Sequence, residues 1–453
     1  MYKNKTVGIW GFGKVGSSAA QFLQMQGATI IGMDQKQIPN PLVKTWFTQD
    51  QKDAFFGQAD FIIASPGIDI RPYYSVYKQK WRTELDLFYQ HWKKPIIAIT
   101  GSVGKTSVTT LLGQLITNYN LRPAVAGNIG TPMLSVLESP QNYDIAILEV
   151  SSFQLEYCTS FAPEIALWTN FVPNHLDRHT VEQYLAAKAN IFSHQAEQHI
   201  AIIPFALFAR LHDLYPHKRY IVMAEESISL AQKDHITRLG NALFCLEDTI
   251  LCKYTKNGRR ELLAMHTMPA ITFVSNWLAI CVVLETLGYD LDPLSQYAQD
   301  LSIPEHRMEK ITKERNVFYN DSKATTPTST LSAINRLAGE EIILFLGGLS
   351  KGVDRSQLVN VLKGKVNRIY CFGAEAPVLH QWCNACSIPS TAHTSLDEAF
   401  TECMRNKKEH EVILFSPSGS SYDLFKDYEV RGTYFKQLIT DYFQAKKDLV
   451  VPI

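Results

Sequence analysis

Short apolar runs that end in glycine, serine or an acid, each followed by apolar residues at helical spacing, recur along this chain. The sharpest case is Pro95-Ile-Ile-Ala-Ile-Thr100, a β-branched run that reads as a buried strand. After it, Val108, Leu111, Leu112, Leu115 and Ile116 fall on one face of a helix. Towards the N-terminus the pattern predicts strands at Val7–Trp10 and Ala28–Met33 with a helix over Ser17–Gln26 between them, then a strand at Asp60–Ala64. Further on it predicts strands at Asp144–Leu148 and Ile165–Thr169, and helices at Gln183–Phe192 and about 271–287. Residues 195–270 carry apolar runs and turn signals without readable chemistry. Strands follow at Val317–Tyr319, Ile342–Leu346, Arg368–Phe372 and Val412–Phe415, with helical segments between the later ones. Strand–helix alternation of this kind means an α/β protein with doubly wound parallel sheets.

The pattern restarts twice, at Lys93-Lys94-Pro95 and around Leu301-Ser-Ile-Pro304. The expected organisation is therefore three domains, 1–93, 94–304 and 305–453. The first and last are Rossmann-like, and the middle one opens on a phosphate loop. A chain of 453 residues with 46% hydrophobic content can bury several cores. Basic and acidic residues balance at 44 each, which removes bulk charge as a means of holding nucleic acid or an anionic membrane. The apolar runs are too short to span a bilayer, and the N-terminus lacks a leader's apolar block, so a cytoplasmic protein is expected. Eight scattered cysteines, including Cys383-Asn-Ala-Cys386, are expected to be reduced structural thiols rather than a zinc or disulfide framework.

Chemistry concentrates where the strands end. Between the strand at 95–100 and its helix lie Gly101, Ser102, Val103, Gly104, Lys105, Thr106 and Ser107. Glycines let backbone N–H groups close on an anion, and the helix N-terminus adds partial positive charge. A lysine there reaches terminal phosphates, and a hydroxyl after it can ligate Mg²⁺. Two residues separate the glycines where the common phosphate loop has four. Glu149 ends the next strand and is placed to hold metal. Gly127-Asn128-Ile-Gly130 is a glycine-bracketed loop able to approach a ligand closely. Gly11-Phe-Gly13-Lys-Val-Gly16, with Asp34 after the second strand, is a dinucleotide fingerprint that can also serve another nucleotide diphosphate. Taken alone it supports a nicotinamide-dependent oxidoreductase, which would leave the phosphate loop and Glu149 without a role. A nucleotide-binding scaffold without catalysis is the other alternative. His175 and His179 flank Asp177 in a zinc-like spacing, but no further ligand cluster follows. Lys188 reads as a solvated helix residue, and Asn276 as a polar amide on an apolar helix. Ser416, Ser418, Ser420 and Ser421 run into Tyr422-Asp-Leu-Phe-Lys, which reads as a helix start and a second anion site.

Together these loops resemble the Mur ligase family of peptidoglycan synthesis across essentially the whole chain. Thr100-Gly-Ser-Val-Gly-Lys-Thr106, Gly127-Asn-Ile-Gly130 and Glu149 before Ser151-Ser152 carry the likeness, and the short loop spacing is this family's form. Ser65-Pro66-Gly67, Asn320-Asp-Ser-Lys-Ala-Thr325 and Ser416-Pro…Ser421-Tyr-Asp-Leu-Phe-Lys-Asp-Tyr428-Glu-Val-Arg431-Gly432 resemble the D-glutamate-adding branch. Sister ligases that add other amino acids differ at the last two places, and Asn320–Thr325 also argues against a folylpolyglutamate-type ligase.

The resemblance implies ATP-driven peptide-bond formation through an acyl phosphate. The γ-phosphoryl group passes to the alanyl carboxylate of UDP-N-acetylmuramoyl-L-alanine, and the amine of D-glutamate then displaces phosphate. It implies that Lys105 contacts the transferring phosphate and that Thr106, Glu149, His175 and a carbamylated Lys188 hold two Mg²⁺ ions. Asn276, Arg307, Asp321 and Lys323 would contact ATP, and Asp34, Gly67 and Asn128 the UDP-sugar. Thr325, Lys351, Ser421 and Tyr428 would form the D-glutamate pocket. A monomer whose third domain closes over ATP is expected. Ser102-Val103 stands for the family's Thr-Asn, Leu349 for an acidic residue before Lys351, Lys36 for an arginine near the uridine, and Tyr428 for phenylalanine.

Overall fold

The computed structural model describes residues 2–35, 40–269, 271–302 and 305–448. Lys36 and the expected boundary at Pro304 lie outside them. The chain divides into two compact units, Met1–Phe171 with Glu182–Ser302, and Val172–Val181 with Ile303–Ile453.

The first unit holds two sheets. β1 (Thr6–Trp10), β2 (Thr29–Met33), β3 (Val43–Phe47) and β4 (Phe61–Ala64) pair in parallel in the order β3-β2-β1-β4. The second sheet begins with β5 (Ile96–Thr100), β6 (Pro123–Gly127), β7 (Ile145–Glu149) and β8 (Ile165–Trp168). It continues through β9 (Ile200–Pro204), β10 (Arg219–Ala224), β11 (Ala242–Glu247), β12 (Ile250–Thr255) and β13 (Gly258–Ala264). Its order is β13-β12-β11-β10-β9-β8-β5-β7-β6. All pairs are parallel up to β11, after which β12 and β13 run antiparallel. The apolar runs of 195–270 are thus the far half of one large sheet.

β5 sits in the interior of that sheet, and all its residues are buried. Ile97 and Ile99 face the core that includes Leu111, Leu115 and Trp277, while Ile96 and Ala98 face the opposite core. A strand covered on both faces reads as a continuous apolar run, which explains why 95–100 shows no alternation. The helix Lys105–Thr117 buries Val108, Leu111, Leu112, Leu115 and Ile116 completely. Removing one such leucine side chain costs about 2–5 kcal/mol.

The second unit carries β14 (Glu309–Lys313), β15 (Asn316–Asn320), β16 (Ile342–Gly347), β17 (Arg368–Phe372), β18 (Ser390–His393) and β19 (Val412–Phe415). Their order is β14-β15-β19-β16-β17-β18, parallel except for the β14–β15 hairpin. The alternating residues Leu344 and Leu346 face one core, Ile343 and Phe345 the other.

Two expectations need correction. The first helix begins at Lys14 rather than Ser17, because Gly13 already serves as its N-cap residue. No helix begins at Tyr422. Leu424 and Phe425 donate to Ser421 O at 3.1 and 2.8 Å in a turn, and the helix starts at Tyr428. Asp427 caps it, its Oδ1 accepting from Val430 N at 2.8 Å. The serine loop therefore does not open a helix, and the second anion site loses that support.

Candidate active site

The order of the second sheet places the ends of β7, β5 and β8 side by side, and each brings a functional loop. The phosphate loop leaves β5 at Gly101 (φ 151°) and enters its helix at Gly104 (φ 87°). A Cβ on Gly104 would stand 2.3 Å from Asn276 Oδ1, so the amide of Asn276 packs directly against the loop. Asn276 is itself buried, with its Nδ2 donating to Thr272 Oγ1 at 2.7 Å. From β8, Asn170 grips the loop at both polar groups of Val103. Val103 N donates to Asn170 Oδ1, and Asn170 Nδ2 donates to Val103 O, each at 2.9 Å. Thr169 Oγ1 adds a bond to the same carbonyl at 2.8 Å. Val103 is thereby fixed through its main chain rather than its side chain.

Glu149, at the end of β7, is 1% exposed. Its Oε1 accepts from Asn128 Nδ2 at 2.9 Å, and its buried Oε2 has no hydrogen-bond partner. Backbone packing brings the two together, because Asn128 N donates to Glu149 O at 2.8 Å and a Cβ on Gly127 (φ 107°) would meet that oxygen at 2.2 Å. An orphaned carboxylate oxygen next to a phosphate loop suits a hard cation.

Lys188 is 1% exposed, on the helix Val181–Ser193. The solvated reading from its spacing is corrected here, since the side chain turns into the core and over the Tyr184 ring, 4.7 Å from its centroid. Its Nζ donates to Gly101 O at 2.8 Å and Thr100 Oγ1 at 3.3 Å. Burial first, then the charge of Lys105, pull its pKa well below that of an ordinary lysine, with Glu149 opposing.

In the first sheet, Gly16 is the glycine that geometry requires, as a Cβ there would lie 1.9 Å from Gly11 O. Asp34 Oδ2 accepts from Phe12 N at 2.6 Å, bracing the glycine turn from the end of β2. Gly67 follows β4 with open space where a Cβ would stand.

In the second unit, Asp321 is buried, accepts from Ser416 Oγ at 2.8 Å and from Met308 N at 3.2 Å, and is pushed up to about 6 by burial. Lys323 Nζ bonds Tyr428 OH at 3.0 Å and lies 4.7 Å from that ring's centroid. Ser322 and Tyr428 are tied together by a 2.8 Å bond from Ser322 Oγ to Tyr428 O. Lys351 holds a left-handed backbone (φ 54°) beside Gly352, where a Cβ would meet Asp177 N at 2.9 Å. The segment bearing His175 (φ 55°) therefore packs beside the Lys351 turn. Thr325 is half-buried just before the helix Pro327–Arg336, and Ser421 is buried after the Ser418-Gly419-Ser420 turn.

Comparison with known proteins bears directly on this arrangement. Residues 99–236 match the Mur ligase middle domain, and residues 306–419 the Mur ligase, glutamate ligase domain. Residues 1–66 match the NAD binding domain of D-isomer specific 2-hydroxyacid dehydrogenases, in keeping with the glycine fingerprint of the first sheet. The UDP-N-acetylmuramoylalanine--D-glutamate ligase of Koribacter versatilis is 31% identical, covering 98% of this chain and 99% of that protein. That of Legionella pneumophila (strain Lens) is also 31% identical, over 94% and 97%. The chain belongs to the Mur ligase family. Its fold is shared with MurF from Acinetobacter baumannii (TM-score 0.59, 16% identity, 97% and 90% covered). The same holds for MurC from Thermotoga maritima (TM-score 0.58, 15% identity, 98% and 100% covered).

For this Mur ligase the first unit brings together Gly101–Ser107, Asn128, Glu149, Lys188 and Asn276 around one sheet end. Arg307, Asp321, Lys323, Thr325, Lys351, Ser421 and Tyr428 belong to the second unit, together with His175. Asn170, Thr169, Arg355 and Glu375 escaped sequence reasoning, and Arg431 entered only as part of the Tyr428–Gly432 motif, without a role. Arg431 is fully buried and donates to Gly419 O at 3.0 Å and Ser322 O at 2.7 Å, joining the serine loop to the Asn320–Thr325 stretch. A long charged residue carries no mark of burial in its own sequence, so nothing but the neighbouring motif pointed to it. All eight cysteines are free thiols. Among the described residues no helix is long and apolar enough to cross a membrane.

Proposed function

We propose that this Mur ligase joins D-glutamate to UDP-N-acetylmuramoyl-L-alanine at the expense of ATP, in peptidoglycan precursor synthesis. The observation that carries the reading is the full-length kinship with D-glutamate ligases. The alanyl carboxylate oxygen attacks the γ-phosphorus and ADP leaves. The amine of D-glutamate then attacks the acyl carbon, phosphate leaves, and the nitrogen gives up its proton. Two anions must meet in the first step, and fixed positive charge at Lys105 and the helix N-terminus favours their approach.

In this reading residues 1–93 hold the UDP-sugar through Asp34 and Gly67, with Asn128 contributing from the middle domain. Residues 94–304 hold ATP through the phosphate loop and Asn276. Residues 305–453 supply Arg307, Asp321 and Lys323 to the nucleotide and Thr325, Lys351, Ser421 and Tyr428 to D-glutamate. Thr106, Glu149 and a carbamylated Lys188 are assigned to Mg²⁺ as oxygen donors, which suit that ion, and the free Oε2 of Glu149 supports it; His175 is assigned as a further ligand. Bound Mg²⁺ would neutralise charge on the triphosphate. The enzyme works as a monomer in the cytoplasm, where ATP is supplied.

Phosphate release from ATP tests the function. It is expected to require both UDP-N-acetylmuramoyl-L-alanine and D-glutamate. Equal release with L-alanine, meso-diaminopimelate or L-lysine in place of D-glutamate overturns the assignment.

A further inference from the structure

Leu349 stands two residues before Lys351, in a turn that is firmly held. Gly347 N donates to Pro417 O at 2.9 Å, and Leu349 and Ser420 exchange both main-chain bonds, at 2.9 and 2.8 Å. The ends of β16 and β19 are thus stitched into a short antiparallel bridge. Beneath it lies Arg355, whose side chain is wholly buried. Its Nη1 donates to Gly347 O at 2.9 Å and its Nη2 to Gly348 O at 3.0 Å. The same Nη2 also pairs with Glu375 Oε2, while Glu375 Oε1 accepts from Ser350 N at 2.9 Å. A Cβ on Gly419 would stand 2.9 Å from Arg355 Nη1, so the serine loop packs on the guanidinium too.

We propose that Arg355 and Glu375 are positioning residues for the amino-acid pocket, the buried guanidinium and its partly exposed carboxylate partner fixing the two turns that present Lys351 and Ser421. The inference rests on the reading of those two side chains as D-glutamate contacts. Each lies one residue beyond a clamped main-chain group, Ser350 and Ser420 respectively. A buried guanidinium is a costly way to fill space, and an apolar side chain of similar volume would stabilise the fold at least as well. What the guanidinium adds is a rigid fork that fixes two carbonyls and a carboxylate at once. A displacement of about 1 Å in a substrate-holding group is enough to cost a large factor in turnover.

Steady-state kinetics of the full chain test this with Lys351→Ala, Glu375→Gln, Arg355→Met, Arg355→Lys and the double variant Arg355→Met/Glu375→Gln. Glu375→Gln and Arg355→Met are expected to raise the KM for D-glutamate roughly tenfold, with the KM values for ATP and the UDP-sugar within about twofold of wild type. The double variant is expected to be no worse than the weaker single, because the pair acts as a unit. Arg355→Lys keeps the charge without the fork and falls between. An unchanged D-glutamate KM in both Glu375→Gln and Arg355→Met, or a loss of kcat with all three KM values unchanged, overturns the proposal. If Lys351→Ala itself leaves the D-glutamate KM unchanged, the pocket assignment fails instead. Should Arg355→Met not fold, Glu375→Gln, which removes one partly exposed charge, carries the same comparison.

Discussion

Lys105 and Lys188 donate to the same oxygen. Each Nζ stands 2.8 Å from the carbonyl of Gly101, one from the phosphate loop's own helix and one from the helix Val181–Ser193. Two ammonium groups on one carbonyl repel, and burial presses Lys188, the more enclosed of the two, towards the neutral amine. A neutral amine can add to CO₂, forming an N–C bond and a carbamate with release of one proton. The clash of like charges then becomes a cation–anion pair. With ¹³C-bicarbonate, NMR of the wild type should show one carbamate resonance that Lys188→Ala lacks. Lys188→Ala should also lose most of its activity.

Lys105→Ala removes the phosphate-loop cation that the proposed function assigns to the transferring phosphate. A fall of about 10²–10³-fold in kcat is expected, in the range seen when a transition-state donor is removed. Turnover within about twofold of wild type would exclude Lys105 from the reaction.

Gly104 has a left-handed backbone, and its missing side chain leaves room for Asn276 Oδ1. Gly104→Ala both strains the backbone and displaces that amide. Calorimetric titration with ADP should show binding lost or weakened at least tenfold, or roughly 1.4 kcal/mol, with the thermal midpoint lowered by a few degrees.

Glu84 offers a pH test away from the chemistry. It is buried at the start of the helix Glu84–His91, with Oε2 accepting from Gln154 Nε2 at 3.3 Å and Oε1 unpartnered. Burial pushes its pKa up to about 7. A carboxyl whose folded pKa is raised stabilises the fold below the unfolded value of about 4.5. That contribution is lost as pH rises through about 7. Glu84→Gln does not titrate, so its stability relative to wild type should rise across this window, by up to about 3 kcal/mol. Urea midpoints measured across the window check this, and a flat difference would contradict it.

Tyr428 separates the work of a ring from that of a hydroxyl. Tyr428→Phe keeps the face beneath Lys323 and loses the 3.0 Å bond. A rise in the D-glutamate KM of less than about threefold is expected, against tenfold or more for Tyr428→Ala.

The strand ends are legible in the sequence because each combines a buried apolar run with a glycine, a serine or an acid at its end. The ends of β5, β7, β16 and β19 fall within a residue or so of the expected positions. The antiparallel hairpin of β12 and β13 was not, since its strands cover one edge of the sheet and mix charged with apolar residues. Lys188 misled for a different reason. Helical spacing puts Tyr184, Leu185, Ile191 and Phe192 around it, all buried, so it sits on the inward face of the helix, which its flanking alanines do not signal. Arg355 and Arg431 have the same problem, because each acts on main-chain carbonyls that any residue could supply. Position, rather than residue type, carries that information.

The Leu349–Ser420 bridge also bears on how the preference for one amine acceptor can change. Lys351 and Ser421 are displayed by turns whose main chains are each other's hydrogen-bond partners. Neither turn has a conformation of its own to exchange. Grafting one from a ligase of different preference should give a poorer enzyme rather than a redirected one. Exchange of both turns together, with the residues at 355 and 375, is the smallest inheritable step towards a new amino acid.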